Sequence, residues 1–298
     1  MTKVLAGQTA FITGGSGGIG SSSAKYLLKD GAAVLLMGRR EDALQRTREA
    51  LLQEIPDGRI EIHAGNAAST EDVIAALDKA HAIAGRLDII VPTVGGGGFM
   101  PILMHDAQSF MAQLENNIIT AFLAVRYGVP RMANGGSIVV ISSNAATMPF
   151  PWLAAYCTSK GGLEQFVRTA ADELSGAKVR VNAIRPGMTR TEVTAAMFDN
   201  EAVIAPFIAQ MPLGRAGFAD DIGQGVRFLA GPESGWMTGQ SFAIDGGHEL
   251  RRNPDLTGMI RGLFGDDVID AVIKGSAPDV SNMRAQEGWD VASLSTKP

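Results

Sequence analysis

The sequence predicts an α/β fold: a doubly wound parallel sheet in a single domain, with a short helical C-terminal extension. Three observations carry this. Short runs rich in Val and Ile recur along the chain, several of them apolar on both faces, as strands buried within a covered sheet must be. Longer segments with apolar residues at helical spacing lie between them and stop at glycines. The alternation repeats six or so times, and right-handed crossovers wind such a chain into one open sheet.

The strand-like runs are "TAFIT" (9–13), "AAVLLM" (32–37), "IEIHA" (60–64), "LDIIV" (87–91), "GSIVVIS" (136–142), "VRVNAI" (179–184) and "SFAID" (241–245). In the first helical segment Ala24, Leu27 and Leu28 share a face, and Gly31 ends it. A second begins with Thr70 as the expected N-cap and stops at Gly85. No repeat, low-complexity block or linker interrupts the chain before residue 248, so residues 1–248 form one domain. Residues 249–298 form an extension. There Leu256, Met259, Ile260, Leu263 and Phe264 follow helical spacing and Gly265 interrupts. Asp266 is then expected to cap a second short helix carrying Val268, Ile269, Val272 and Ile273. From about Gly275 the chain is polar and expected to be extended or mobile. The apolar faces of the two helices need a cover: their own subunit, a neighbour's site or an oligomer interface.

Composition narrows the function. A net charge of −5 offers no basic surface to nucleic acid and is weakly repelled by an anionic membrane. The single cysteine, Cys157, allows no internal disulfide and suits a reducing cytoplasm. His63, His81, His105 and His248 lack ligand spacing and read as surface or packing residues, with no metal site. The N-terminus has no apolar core of a secretory signal. The most apolar stretch, residues 87–104, is broken by Pro92, Pro101 and four glycines, which excludes a membrane span. Glycines, 36 of 298 residues, gather at the ends of apolar runs and mark turns and close backbone approaches.

"TGGSGGIG" (13–20) joins the first strand to the first helix, with Gly14, Gly18 and Gly20 in the spacing GxxxGxG. Glycine is required where backbone turns sharply, approaches a pyrophosphate and lets a helix pack on a strand. The helix N-terminus adds amide donors and a positive dipole. Glycines at such a turn are also compatible with a purely structural role, and their position in the first βα turn favours the phosphate reading. A cofactor ribose would lie at the end of the second strand. There "GRR" puts Gly38 where an acid could contact a ribose hydroxyl, followed by Arg39 and Arg40. Guanidinium suits a 2′-phosphate, so NADP(H) is preferred to NAD(H), with Arg39 ahead of Arg40. The alternative is two solvated arginines balanced by Glu41 and Asp42.

"YCTSK" sets Tyr156 and Lys160 one helical turn apart. A lysine there favours tyrosinate, and a phenol so tuned exchanges a proton with a carbonyl or alcohol oxygen. From spacing alone an ordinary helix-surface pair is the better reading. Ser143, thirteen residues upstream at a strand end that faces the ligand crevice, reverses the balance, since its hydroxyl can hold the same substrate oxygen.

These motifs, in this order, resemble the short-chain dehydrogenase/reductase family, with its Rossmann-like sheet, from about Leu5 to Gly247. They include TGxxxGxG, an asparagine in "ENNIITAF", "ISS" before YxxxK, "RVNAIRPGMTRT", "MPLGRAGFADDIG" and "TGQSFAIDGG". The resemblance implies Tyr156 as acid/base, Lys160 lowering its pKa and holding the ribose, and Ser143 orienting the carbonyl. It implies Asn117 in the proton relay, with Asn116 as an adjacent rival one residue out of phase. It places the cofactor on Gly14, Ser16, Gly17, Gly18, Ile19, Gly20, Asn66, Ala67 and Gly95. Pro186, Gly187, Met188 and Thr189 would pass along the nicotinamide, and Thr191 would contact its carboxamide. The family also implies a homo-oligomer, a tetramer or dimer.

Two departures stand out. Pro92-Thr93-Val94 replaces the family's Asn-Asn-Ala and removes an amide donor, and glycines 96–98 are expected to widen the crevice or loosen the loop. Asn66 replaces the aspartate that contacts adenine, and its amide can both donate and accept. Substrate walls are expected from residues 144–155 and 194–211, with Met148, Phe150, Trp152, Met197, Phe198, Phe207 and Met211 either lining a pocket or packing a lid. A pocket so lined takes a largely apolar small molecule. The reading is an NADP(H)-dependent oxidoreductase acting on a carbonyl or alcohol. The alternatives are a 3-oxoacyl carrier-protein reductase and a non-catalytic nucleotide sensor.

Overall fold

The computed structural model describes residues 3–278. Its first half runs β1 (Thr9–Thr13), α1 (Gly18–Lys29), β2 (Ala33–Gly38), α2 (Glu41–Glu54), β3 (Ile60–Ala64) and α3 (Thr70–Ala84). The chain continues through β4 (Ile89–Pro92), α4 (Ala107–Leu114), one turn of π-helix (Glu115–Ile119), α5 (Thr120–Gly128), β5 (Gly136–Ile141), α6 (Ala154–Glu173) and β6 (Val179–Pro186). Then come β7 (Thr189–Arg190), α7 (Ala195–Phe198), α8 (Glu201–Ala209), β8 (Gly217–Phe218), α9 (Ala219–Ala230) and β9 (Ser241–Ile244). The extension supplies α10 (Thr257–Phe264) and α11 (Asp266–Ile273). The polar tail beyond residue 278, expected to be extended, lies outside the described residues.

Seven parallel strands form one sheet in the order β3-β2-β1-β4-β5-β6-β9, while β7 and β8 form a separate short ribbon. Each run expected from sequence is a strand of this sheet. The winding direction reverses between β1 and β4, which opens a crevice at the C-terminal ends of the strands. One face buries Phe11, Leu35, Ile90, Ile138 and Val140 against α3, α5 and α6. The other buries Ile12, Leu36, Val91 and Val139 against α1, α2 and α9.

The helices α1 and α9 are stitched together. Asp220 of α9 accepts hydrogen bonds from Ser22 (2.7 Å) and Tyr26 (3.3 Å) and pairs with Lys25, all on α1. Arg227 pairs with Asp30. A Cβ on Gly223 would lie 2.4 Å from the Ser22 hydroxyl, so glycine permits this approach.

Two caps differ from expectation. Ser69, not Thr70, caps α3: its backbone is extended, and its Oγ accepts the Asp72 N–H at 3.2 Å. Thr70 is the first helical residue. Asp266 opens α11 without capping it. Gly265, at φ 90°, occupies the junction, and Asp266 pairs with Arg261 at 3.0 Å. The extension packs on its own subunit. Leu256, Ile260 and Ile269 join Ile204, Phe207 and Met211 of the α8 region in a third core. Among the described residues no helix is long and apolar enough to cross a membrane.

Candidate active site

The glycine loop forms as its spacing requires. Gly14 takes φ +65°, and a Cβ on Gly20 would lie 2.2 Å from the Gly14 carbonyl. Ile19 packs down onto the sheet, and Gly17 at the N-cap supplies no side-chain cap. The Gly18 N–H instead donates to Glu192 Oε2 at 3.0 Å, so a carboxylate already rests on the amide where an anion is expected. Thr191 lies alongside: a Cβ on Gly18 would meet its methyl at 3.0 Å.

At the end of β2, Arg39 and Arg40 are exposed and make no ion pair among the described residues. A Cβ on Gly38 would make only ordinary contacts with Leu44 and Ser16, at 3.5 and 3.6 Å. The strand end is therefore bare by composition and not for want of space. After β3, Asn66 Oδ1 accepts the Ala68 N–H at 3.0 Å, which leaves its side-chain NH2 to donate, with Ala67 buried beside it.

At the end of β4, Thr93 replaces the link that Pro92 removes. Its N–H donates to Thr13 Oγ1 (3.2 Å), and its hydroxyl donates to the Thr13 carbonyl (2.6 Å). The extra glycines do not loosen the loop. Asn117 accepts the Gly96 N–H at 3.0 Å and returns its amide to the Gly96 carbonyl at 2.9 Å and to the Gln113 carbonyl at 2.8 Å. A Cβ on Gly97 would lie 2.5 Å from the Tyr156 ring, and one on Gly95 would lie 2.5 Å from Asn117 Oδ1 and 3.0 Å from Lys160 Nζ. Gly95 and Gly97 let this loop lie flat on Asn117, Lys160 and the Tyr156 ring, whereas a Cβ on Gly96 or Gly98 would meet nothing within 4 Å. Asn117 is fully buried within the π-helical turn, a distortion that re-aims side chains, whereas Asn116 offers its main-chain carbonyl to Thr120.

Ser143 ends the segment after β5. Its Oγ accepts the Ala145 N–H at 3.2 Å and lies 3.4 Å from Asn144 Oδ1. Tyr156 and Lys160 stand on the first turns of α6. Lys160 is 3% exposed, donates to the Ile141 carbonyl at 3.1 Å, and sits 5.8 Å from the Tyr156 ring centroid. Burial holds its pKa down to about 8, against the pull of Glu164. Burial also pushes the Tyr156 phenol up, against the Ser143 hydroxyl, which pulls it down. The lowering expected from Lys160 does not appear in this geometry: the group that opposes burial is Ser143. Burial raises the Cys157 thiol, which makes it a poor nucleophile.

On the opposite wall, Pro186 to Thr189 turn past β9. A Cβ on Gly187 would lie 2.8 Å from Asp245 Cα, so glycine allows the crossing. Thr189 pairs with Gly217, and Met188 packs on the third core. Of the expected walls, Met148, Phe207 and Met211 are buried as packing. Phe150, Trp152, Met197 and Phe198 rim the third core with Phe99 and Met259. Trp152 takes φ 72°, a strained position for a bulky residue, and its carbonyl accepts the Met100 N–H at 2.7 Å.

The fold thus brings Gly95, Asn117, Ser143, Tyr156 and Lys160 together at one end of β4 and β5, with the glycine loop, Arg39, Arg40 and Asn66 at the ends of β1 to β3. Sequence reasoning missed Glu192 and the contacts that Thr93, Gly97 and Asn144 make. Their partners lie far along the chain, and no local pattern marks them.

Comparison with known proteins agrees with this geometry. The family described as enoyl-(acyl carrier protein) reductase matches residues 14–249. A 3alpha-hydroxysteroid dehydrogenase of Mediterraneibacter gnavus is 30% identical over 83% of this chain and 98% of its own. The 3-oxoacyl-[acyl-carrier-protein] reductase FabG of Rickettsia conorii is 30% identical over 82% and 97%. A short-chain type dehydrogenase/reductase structure from Mycobacterium ulcerans superposes with a TM-score of 0.84 at 32% identity, covering 88% of this chain and 97% of that one. The chain belongs to the short-chain dehydrogenase/reductase family, whose members are oxidoreductases using NAD(P)(H).

Proposed function

We propose that the protein is an NADP(H)-dependent oxidoreductase that interconverts a ketone or aldehyde and an alcohol on a largely apolar small molecule. The observation that carries this is the meeting of the Tyr156 phenol, the Ser143 hydroxyl and the buried Lys160 amine beside Asn117. Three features fit the cofactor: the glycine loop whose Gly18 amide already holds a carboxylate, the bare strand end at Gly38, and the exposed Arg39 and Arg40, which make no ion pair among the described residues. When bound, the nicotinamide supplies or accepts the hydride.

The chain's own residues handle the proton. Ser143 hydrogen-bonds the substrate oxygen. Tyr156 gives its phenolic proton to a carbonyl oxygen in reduction, or takes one from an alcohol in oxidation. Protonated Lys160 stabilises the resulting tyrosinate. Lys160 is buried and Ser143 and Tyr156 are half-buried, which limits water at the site and strengthens each interaction. Ser143 beside Tyr156 favours carbonyl chemistry over C=C reduction, despite the name of the matched family. The rim of Phe99, Phe150, Trp152, Met197 and Phe198 favours a bulky apolar substrate, and a hydroxysteroid-type alcohol is consistent with the Mediterraneibacter relative.

The Rickettsia relative favours a second reading, a 3-oxoacyl carrier-protein reductase. Turnover of an acetoacetyl thioester in preference to apolar ketones would select it. A homo-oligomer is the assembly the family implies, and a reducing cytoplasm is the setting that fits the single cysteine. The central test is Tyr156→Phe: turnover falls by about 10³-fold, within the range of lost acid/base catalysis, while cofactor affinity stays near wild type. Full activity in that variant sinks the assignment.

A further inference from the structure

We propose that His248 is a positioning residue for Ser143, acting through the side-chain amide of Asn144. The proposal rests on the carbonyl–alcohol reading of the site. His248 follows β9, where the chain turns into the extension, and is 1% exposed. Its Nδ1 lies 3.0 Å from Asn144 Nδ2, also buried. With the Asn144 amide in this orientation its nitrogen donates, so the imidazole presents a bare Nδ1 and carries its ring proton on the buried Nε2. That bond fixes which way the Asn144 amide faces. Its Oδ1 is turned to the Ser143 hydroxyl at 3.4 Å, while Ser143 Oγ accepts the Ala145 N–H from the other side.

Reversing the Asn144 amide would set a donor against the same hydroxyl and change the direction of its hydrogen. His248 therefore fixes the direction of the catalytic hydroxyl from two residues away. Asn144 Oδ1 holds the Ser143 hydrogen by a long contact, weak enough for a substrate oxygen to claim it.

The imidazole is itself held. Phe150 meets it edge-on, with ring centroids 6.3 Å apart and planes at 90°. Asn253 donates to the Pro149 carbonyl at 2.9 Å, so residues 248–253 clasp the 144–152 loop at two points. Burial pushes the ring's pKa below its ordinary value, against the pull of Asp245 and Glu249, which keeps Nδ1 free to accept.

The test compares wild type, His248→Phe, His248→Asn and Asn144→Leu on one apolar ketone with NADPH. Phenylalanine keeps the ring's volume and loses the acceptor. Asparagine places an oxygen near the Nδ1 position. His248→Phe is expected to lose about tenfold in kcat, the kinetic worth of one positioned hydrogen bond, with cofactor Kd unchanged. His248→Asn is expected to recover to within about threefold of wild type, because the acceptor returns. Asn144→Leu, which keeps the branched shape and removes both the donor to His248 and the acceptor for Ser143, is expected to match His248→Phe and covers the case in which that variant does not fold. Equal losses in the Phe and Asn variants would reduce His248 to packing, and an unchanged kcat in His248→Phe and Asn144→Leu would overturn the role outright.

Nitrogen-15 shifts of His248 test the bond without turnover. The Nε2-protonated tautomer is expected, and an Nδ1-protonated ring overturns the proposal. If the wild type binds NADPH but reduces no ketone, the proposed function fails, while the tautomer still decides the His248–Asn144 bond.

Discussion

Replacing Lys160 with methionine should make the protein more stable while destroying its activity. The amine is buried, and burial holds its pKa at about 8, below the ordinary 10.5. A folded pKa below the unfolded one means that the unfolded chain binds protons more readily between those values. Wild-type stability must therefore rise with pH from about 8 to about 10.5. Keeping the ammonium inside costs roughly 3 kcal/mol at pH 7 and about 1 kcal/mol at pH 10. Lys160→Met removes that cost but leaves the Ile141 carbonyl without its donor, a loss of about 1 kcal/mol. The net expectation is a gain of about 2 kcal/mol at pH 7 that shrinks to nearly nothing at pH 10. Urea unfolding of both proteins at the two pH values measures this. A variant less stable than wild type at pH 7, or a difference that does not change with pH, would refute the account of Lys160 as a strained, functional charge. Confirmation would mean that the site keeps its ammonium at the expense of stability.

Three further outcomes follow from the geometry. Arg39→Ala should weaken NADPH binding by about tenfold, one charge-assisted contact, and leave NADH unchanged; calorimetry with both cofactors checks this, and equal losses would place the guanidinium away from the 2′-phosphate. Glu192→Gln should tighten binding of either dinucleotide by about threefold, because a neutral amide yields the Gly18 N–H more readily than a carboxylate does; stopped-flow fluorescence reads both rate constants, and unchanged affinity would show that the contact does not compete. Asp220→Asn should cost about 1–2 kcal/mol by weakening the bonds to Ser22, Lys25 and Tyr26. Burial pushes the Asp220 carboxyl up, but the bonds from Lys25 and Ser22 outweigh it and leave its pKa below the ordinary 3.8. Its share of stability is therefore full above the unfolded value and lost as pH falls through the lower folded one. Acid unfolding should begin at higher pH in wild type relative to its neutral stability than in Asp220→Asn, which has no such share to lose.

The sheet was legible because buried parallel strands write themselves as apolar runs, and the glycine loop and the Tyr156–Lys160 pair because each is local. Caps were legible only to within a residue, since Ser69 and Thr70 are both competent and only the backbone angles of Ser69 decide between them. For glycines 96–98 the contacts that hold Gly96 and Gly97 were not legible, for a physical reason. Glycine signals local freedom, but what uses that freedom here is Asn117 and the Tyr156 ring, supplied from later in the chain. Glu192 on Gly18 and His248 on Asn144 join residues 174 and 104 positions apart, so no window of sequence holds both partners. The pocket rim was half legible. Hydrophobicity named the residues but could not separate the buried Phe207 from the rim residue Phe198.

The seam between α1 and α9 carries a consequence for how the chain is made. Ser22, Lys25, Tyr26 and Asp30 all await partners on α9, whose first residue is Ala219. Leu27 and Leu28 wait with them for Ile222 and Val226 to complete the same core. A nascent chain emerging from the ribosome holds the N-terminal half of the sheet long before its covering helix exists, and synthesis at about 5–20 residues per second leaves that apolar face exposed for several seconds or more. Chains released before α9 should be aggregation-prone and bound by chaperones, and a ribosome-stalled series should show protease resistance arriving in one late step once α9 and β9 have cleared the exit tunnel. The closure that positions the glycine loop at the start of the protein is, in time, one of the last events of its birth.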